Sequence, residues 1–260
     1  MRGIGPLSFF RIFIPVVGLF VGSFANVLIY RVPRGEEWVA TPSHCTRCGH
    51  RLGPLDLIPV LSWLFLRGRC RYCGEKISIR YPLVELLHAL LWYLCVRALG
   101  LTAFLLPALL LTTALLVTAF IDWETQEIPN GVHIFILIVG VLWNAYAAFE
   151  GYGLLLTNVI GFFSASVVLL LLSIVSRGGV GGGDIKLTAV CGLLLGWRHM
   201  LLSLAIASIL GVLVMAPVFL VKKLQRKTPI PFGPFLAAGM VISMLYGPAI
   251  IEGYIALWGL

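Results

Sequence analysis

Charge is what this 260-residue chain lacks. Only 12% of it is Asp, Glu, Lys or Arg, and acids number just eleven. Soluble domains run near a quarter charged, so an ordinary soluble enzyme and a charge-rich disordered chain are both excluded. The chain also lacks a basic run interleaved with stacking aromatics, so its net charge of +8 does not point to nucleic acid. No internal repeat of fixed period is visible. Cysteine is scarce at six, and four of the six stand in two Cys-x2-Cys pairs, which argues against a secreted disulfide scaffold.

What is abundant is apolar. Ala, Val, Ile, Leu, Met, Phe, Trp, Tyr and Cys make up 60% of the residues. A bilayer span needs ~20 of them. Apolar runs occur at about 9–30, 82–99, 103–121, 131–149, 154–176, 185–197, 199–221 and 232–258. The fold class expected is an all-α polytopic membrane protein with about eight transmembrane helices in a lipid bilayer. The sixth run is the weakest: ~14 residues at ~1.5 Å each reach ~21 Å, short of a ~30 Å core. The first run could pass for a signal peptide, but its length and the Arg31 and Arg34 that follow it read as a retained anchor.

Lys and Arg set the orientation. Fifteen of the nineteen lie in three segments, 31–80, 177–186 and 222–227. Eight spans with both termini outside put all three segments in the cytoplasm, whereas seven spans would split the last two. The count therefore supports the weak sixth span. The expected division is a first span at 1–30, a cytoplasmic tetracysteine loop domain at 31–80, and a transmembrane remainder at 81–260.

Acids at span ends are the candidates for chemistry, because a carboxylate at helix-centre depth costs ~2.5–3.5 kcal/mol. Asp122 closes the third run and Asp184 opens the sixth, both at the cytoplasmic level. Two carboxylates brought together cannot both ionise easily, so one keeps its proton. An acid and a base across one water is the arrangement for aspartic hydrolysis of a peptide bond. The bland reading is that each is a helix-end residue wetted by the interface. For Asp184 the helix dipole favours that reading; for Asp122, at a C-terminal end, it does not. Gly181, Gly182 and Gly183 precede Asp184, and so few side chains suit an extended substrate lying beside the acid. Asp184 stands where a P-loop would need Lys, so that motif is excluded. Glu85, one turn into the second span, and Lys186 are secondary candidates for binding substrate. His88 and His133 lie near cytoplasmic span ends, where either could aid catalysis but interface packing is the simpler reading; Asn26 is a polar feature at the same level, and Cys95 and Cys191 read as packing inside spans.

Cys45, Cys48, Cys70 and Cys73 form the second constellation. Each pair is followed by Gly, and four thiolates so spaced suit a closed, tetrahedral structural zinc site. His44 and His50 flank the first pair as possible substitutes. The stretch LIPVLSWLFL (57–66) is too short to span and reads either as the core of the zinc domain or as an interfacial helix.

The motifs GSFANVLIYRVPRG (22–35), the double CxxC segment through RYPLVE (42–85), AFIDWETQEIPN (119–130), GGGDIKL (181–187) and PIPFGPFLAAG (229–239) together resemble the type IV prepilin peptidases, which are leader peptidase/N-methyltransferases. The resemblance covers nearly the whole chain. It implies an inner-membrane aspartic peptidase of the GxGD type, with Asp122 and Asp184 as its catalytic pair. Prepilins or pseudopilins would be its substrates, cut after a Gly on the cytoplasmic side. It also implies methylation of the new N-terminus with S-adenosylmethionine, an activity tied to the tetracysteine loop. Asn130 stands where the family usually has an acid. Two other classes remain in view: a transporter using intramembrane acids, and a methyltransferase or assembly scaffold without peptidase activity.

Overall fold

A computed structural model describes residues 6–222 and 231–257. Lys223, Arg226 and Lys227 of the charge count, and 228–230 of the proline-rich stretch, lie outside the described residues. Eight helices are described: α1 (Pro6–Arg31), α2 (Leu61–Phe65), α3 (Arg80–Leu99), α4 (Leu105–Thr125), α5 (Asn130–Phe149), α6 (Leu155–Val175), α7 (Gly182–Lys222) and α8 (Gly233–Leu257). Seven of them, all but α2, are long and apolar enough to cross a bilayer. The chain divides into two compact units, Met1–Leu105 and Leu106–Leu260.

In the first unit α1 packs on α3 through small residues. A Cβ at Gly18 would lie 3.3 Å from the Ala89 Cα, and one at Gly22 would lie 3.0 Å from the Glu85 Cα. Lipid tails are as apolar as Leu, so close backbone approach rather than hydrophobic burial drives such pairs together. His88 completes the seam, its Nδ1 2.7 Å from the Gly18 carbonyl oxygen. Between the two helices the chain forms the cysteine loop, which has one short helix, α2, and isolated bridges at His44–Arg51 and Arg69–Lys76.

Residues 57–66 are not the core of that loop. Leu61, Leu64 and Phe65 are exposed, and of this stretch the half-buried Trp63 ties inward, donating its indole N–H to Ile77 O at 3.1 Å. The exposed side chains of α2 are compatible with the interfacial expectation for the segment.

In the second unit the sixth and seventh apolar runs form one continuous element, α7, broken at Gly196 (φ 74°, ψ 168°). That backbone conformation belongs almost exclusively to glycine. The arms on either side do not run on in one direction. Asp184, at the start of the first arm, lies within electrostatic reach of Asp122, and Asp122 touches the first residue of α8. Gly211, just past the middle of the second arm, faces Phe232 and Phe235, at the entry to α8. His199, just after the break, instead meets Gly247 far along α8. The chain therefore turns back at Gly196, and the short sixth run is a separate arm of about four turns. This reconciles seven long helices with the expected eight apolar stretches.

Buried amides hold the break. Asn144 donates to the carbonyls of Gly140 (2.8 Å) and Leu193 (2.7 Å), and Asn158 donates to Asn144 Oδ1 at 3.0 Å. Leu193 lies in the last turn before Gly196, where a break frees carbonyls, and in an apolar environment an unmet one is costly. Nearby, α6 and α7 touch backbone to backbone: a Cβ at Gly192 would overlap the Gly161 carbonyl oxygen.

Candidate functional site: a buried pair of acids and a cysteine cluster

Asp122 lies in the last turn of α4 and Asp184 in the first turn of α7. Both are buried, at 6% and 9% exposure. The 60-odd residues between them fold so that Asp184 comes within reach of the charge of Asp122. The two are held differently. One oxygen of Asp122, Oδ2, accepts the backbone N–H of Gly233 at 2.9 Å, at the N-terminal end of α8. There the helix dipole compensates an acid whose own helix end is unfavourable to it. Asp184 Oδ1, by contrast, is buried with no hydrogen-bond partner in the protein. Such an atom is rare in a native structure and points to a water or a substrate group.

The glycines before Asp184 divide into two kinds. Gly183 is taken up by packing: a Cβ there would lie 3.2 Å from the Ile128 Cβ, and its carbonyl is 3.1 Å from His133 Nε2. Gly182 faces open space, and a Cβ at Gly181 would come within 3.2 Å of Asp184 Oδ2. Lys186 is exposed and donates to Asn130 Oδ1 at 3.2 Å. Asn at position 130 thus keeps a hydrogen bond to the lysine without adding a charge. Glu85 belongs to the first unit. It is 7% exposed and accepts the Val60 N–H at 2.7 Å.

Sequence reasoning passed over Gly233 and took His133 for interface packing. Gly233 lies 111 residues from Asp122, so no local pattern connects them; only its place in PIPFGPF marked it. His133 does pack, but on the carbonyl adjoining Asp184, which orients the first turn of α7.

The sulfurs of Cys45, Cys48, Cys70 and Cys73 lie within 4.8 Å of one another and could hold a metal ion. The Cys45 and Cys73 sulfurs are 3.8 Å apart, close to the ~3.8 Å that tetrahedral geometry gives for ~2.3 Å zinc–sulfur bonds. Two matching turns build the cluster. Gly49 N–H bonds Cys45 O at 2.9 Å, and Gly74 N–H bonds Cys70 O at 3.0 Å. The Cys48 and Arg47 N–H groups point at the Cys45 sulfur and push its thiol down to about 6. At Cys73 the Glu75 N–H works the same way, but burial and hydrogen bonds to the other three sulfurs prevail and push it up to about 12. Neighbouring thiols of opposite tendency share protons until a cation replaces them. His44 and His50 stand outside the cluster; His50 stacks on Tyr72 with ring centroids 3.6 Å apart.

Asp56 braces the loop from the side. Its carboxylate accepts from Arg71 Nε (2.7 Å), Tyr72 Oη (3.1 Å) and the Gly53 N–H (3.1 Å). Burial alone would raise it, but the donors, led by Arg71, hold it below the usual carboxylate range.

Comparison with known proteins bears on nearly the whole chain. Residues 16–99 match the bacterial peptidase A24 N-terminal domain, and residues 109–216 match the type IV leader peptidase family. The chain is 35% identical to a prepilin leader peptidase/N-methyltransferase of Bacillus subtilis, over 93% of this chain and 96% of the relative. It is 36% identical to one of Aeromonas salmonicida, over 98% and 96%, and 34% identical to one of Pseudomonas aeruginosa, over 98% and 96%. No solved structure matches the chain significantly.

Proposed function

The chain belongs to the type IV leader peptidase family, and from that premise we propose that it is a multi-pass inner-membrane aspartic endopeptidase whose catalytic groups are Asp122 and Asp184. Its substrates are prepilins or pseudopilins, cleaved after a leader glycine at the cytoplasmic face. The observation that carries the reading is the juxtaposition of two buried carboxylates from separate helices, one of them with an unpartnered oxygen.

The two acids share one proton and titrate as a unit. The ionised carboxylate takes a proton from water as the water oxygen attacks the scissile carbonyl. The protonated partner donates its hydrogen bond to that carbonyl oxygen. Collapse of the tetrahedral intermediate breaks the C–N bond, and the departing nitrogen takes up a proton from the pair. No covalent intermediate is required. The extended leader approaches along Gly181 and Gly182, where added side chains would crowd Asp184 or the open space before it. Gly233 holds Asp122 in place through its N–H.

The relatives' names pair this activity with N-methylation, and we extend that second activity to this chain. S-adenosylmethionine, when bound, supplies an electrophilic methyl group. The four cysteines hold one structural zinc, which ties the 31–80 loop without entering the chemistry.

The test is a gel-shift assay with a prepilin peptide, comparing wild type with Asp122→Asn and Asp184→Asn in membranes. Both variants should be present and folded yet inactive, and both should still methylate pre-cleaved pilin with a labelled donor. Cleavage retained by both single variants would end the dyad reading.

A further inference from the structure

The first unit has an open-sided cavity of about 420 Å³ between α1, α3 and the cysteine loop. That volume is in the range of ~300–1,000 Å³ typical of small-molecule sites. The acid pair of the second unit makes no use of it. Two side chains of its wall, and a residue held behind one of them, describe an occupant.

The first is Asn26, 2% exposed. Its Nδ2 donates to Tyr81 O at 3.1 Å and Gly22 O at 3.4 Å, while its Oδ1 has no partner. The amide cannot be turned round, because Oδ1 would then face two carbonyl oxygens. The cavity therefore presents a fixed, buried acceptor that lacks a donor. Leaving such an atom unmet costs ~1–3 kcal/mol, a cost that a ligand N–H or O–H removes.

The second is Glu85. It is buried, accepts the Val60 N–H and hydrogen-bonds the Ser23 side chain. No cation forms a salt bridge with it among the described residues. Of the guanidinium groups in the cavity wall, Arg31 is spent on the carbonyls of Glu37, Thr41 and Pro42 and Arg71 on Asp56. A buried carboxylate without a cation suits a ligand that brings one.

The third is the residue Glu85 holds. Val60 has φ 60° and ψ −51°, and Leu61 N–H reaches Pro59 O across it at 2.5 Å. This is a tight γ-turn in a region where β-branched residues are genuine outliers. Strain of ~1–3 kcal/mol at such a position persists only where its surroundings impose it. Half-buried Trp63 and Tyr81 supply flat aromatic walls for a heterocycle or a cation.

We propose that this cavity seats the methyl donor, an adenosyl sulfonium. Its positive charge lies toward Glu85, and one of its N–H groups donates to Asn26 Oδ1. The inference rests on the methylation reading above and adds the place and the residues.

The experiment uses the full-length protein in lipid nanodiscs, with binding of labelled S-adenosylmethionine and of its neutral thioether product, S-adenosylhomocysteine, as readouts. Wild type should bind both saturably. Asn26→Leu should weaken both at least tenfold. Glu85→Gln, which keeps the shape and loses the charge, should weaken the sulfonium selectively, bringing the ratio of the two affinities toward one. Photolabelling by the donor should fall on peptides containing residues 23–30 and 60–85. Circular dichroism and zinc content check folding, and if Asn26→Leu does not fold, the isosteric Glu85→Gln and the labelling decide the question. Wild-type binding that both variants retain in full, or labelling elsewhere, overturns the cavity and leaves methylation standing. A wild type that neither binds the donor nor methylates pre-cleaved pilin overturns both.

Discussion

Gly233 donates its backbone N–H to Asp122 Oδ2 at 2.9 Å, and the space where its side chain would be is already filled by the same carboxylate. A Cβ at position 233 would lie 2.8 Å from Oδ2 and 3.0 Å from Cγ. The acid is thus fixed by the one residue type that can both donate and stand so close. Gly233→Ala should push the carboxylate away from its partner while leaving the helices intact. Misplacement by about 1 Å can cost ~100-fold in rate. The expected outcome is a drop of at least tenfold in kcat for prepilin cleavage, with little change in KM and an unaltered helical spectrum.

The cysteine cluster makes a separate prediction. One zinc per chain is expected by elemental analysis of the purified protein. Removing it with a strong chelator, or replacing the buried Cys70 by Ser, should open the loop to protease between residues 36 and 79. The transmembrane helices should remain, since the α1–α3 seam depends on Gly18, Gly22 and His88 rather than on the metal. Intact resistance of the loop after complete metal removal would show that the thiols serve another purpose.

Much of this architecture was legible in the sequence because membrane insertion writes itself in long apolar runs. The charge count supported the weak sixth run as a span of its own, and the break at Gly196 makes it a separate arm. The acids were legible for the same reason, since Asp122 and Asp184 stand at the ends of spans where charge is costly. What stayed hidden was tertiary. The Val60 N–H on Glu85 and the Gly233 N–H on Asp122 are long-range backbone contacts that no periodicity encodes. The glycines of the 181–183 run look alike in sequence, yet Gly183 serves the packing of Ile128 while Gly182 faces open space. Only the placement of the 128–130 segment separates them.

Asp56 gives the loop a dependence on pH. Its carboxylate is held below the usual range by Arg71, the Gly53 N–H and Tyr72, so it binds a proton less readily folded than unfolded. Its contribution to stability is therefore complete above the unfolded value of ~4 and is lost as pH falls through the lower folded value. Hydrogen-exchange protection of residues 53–72 should be flat from pH 8 to about 5 and should decline in acid. Asp56→Asn should lower protection at neutral pH and remove most of the difference between neutral and acid, with an effect moderated because Arg71 is about half exposed.

Gly196 tests whether the turn in α7 builds the acid pair. Its φ of 74° with ψ of 168° is closed to residues with a side chain, and an added Cβ would meet Thr157 Cγ2 at 3.0 Å and Asn158 Oδ1 at 3.2 Å. Asn158 in turn holds Asn144, which holds the Leu193 carbonyl before the break. Gly196→Ala should therefore cost ~1–3 kcal/mol from the backbone alone, read as a lower melting temperature in detergent. Asn144→Leu should have a similar effect through a different route, by leaving the Leu193 carbonyl unmet. If the turn positions the first arm, both substitutions should also reduce cleavage, although each lies about three turns along the helix from Asp184 or on a neighbouring helix. A variant that melts early yet cleaves at the wild-type rate at low temperature would mean that the first arm finds its place without the break, and that Asp184 is set by the Ile128 and His133 contacts alone.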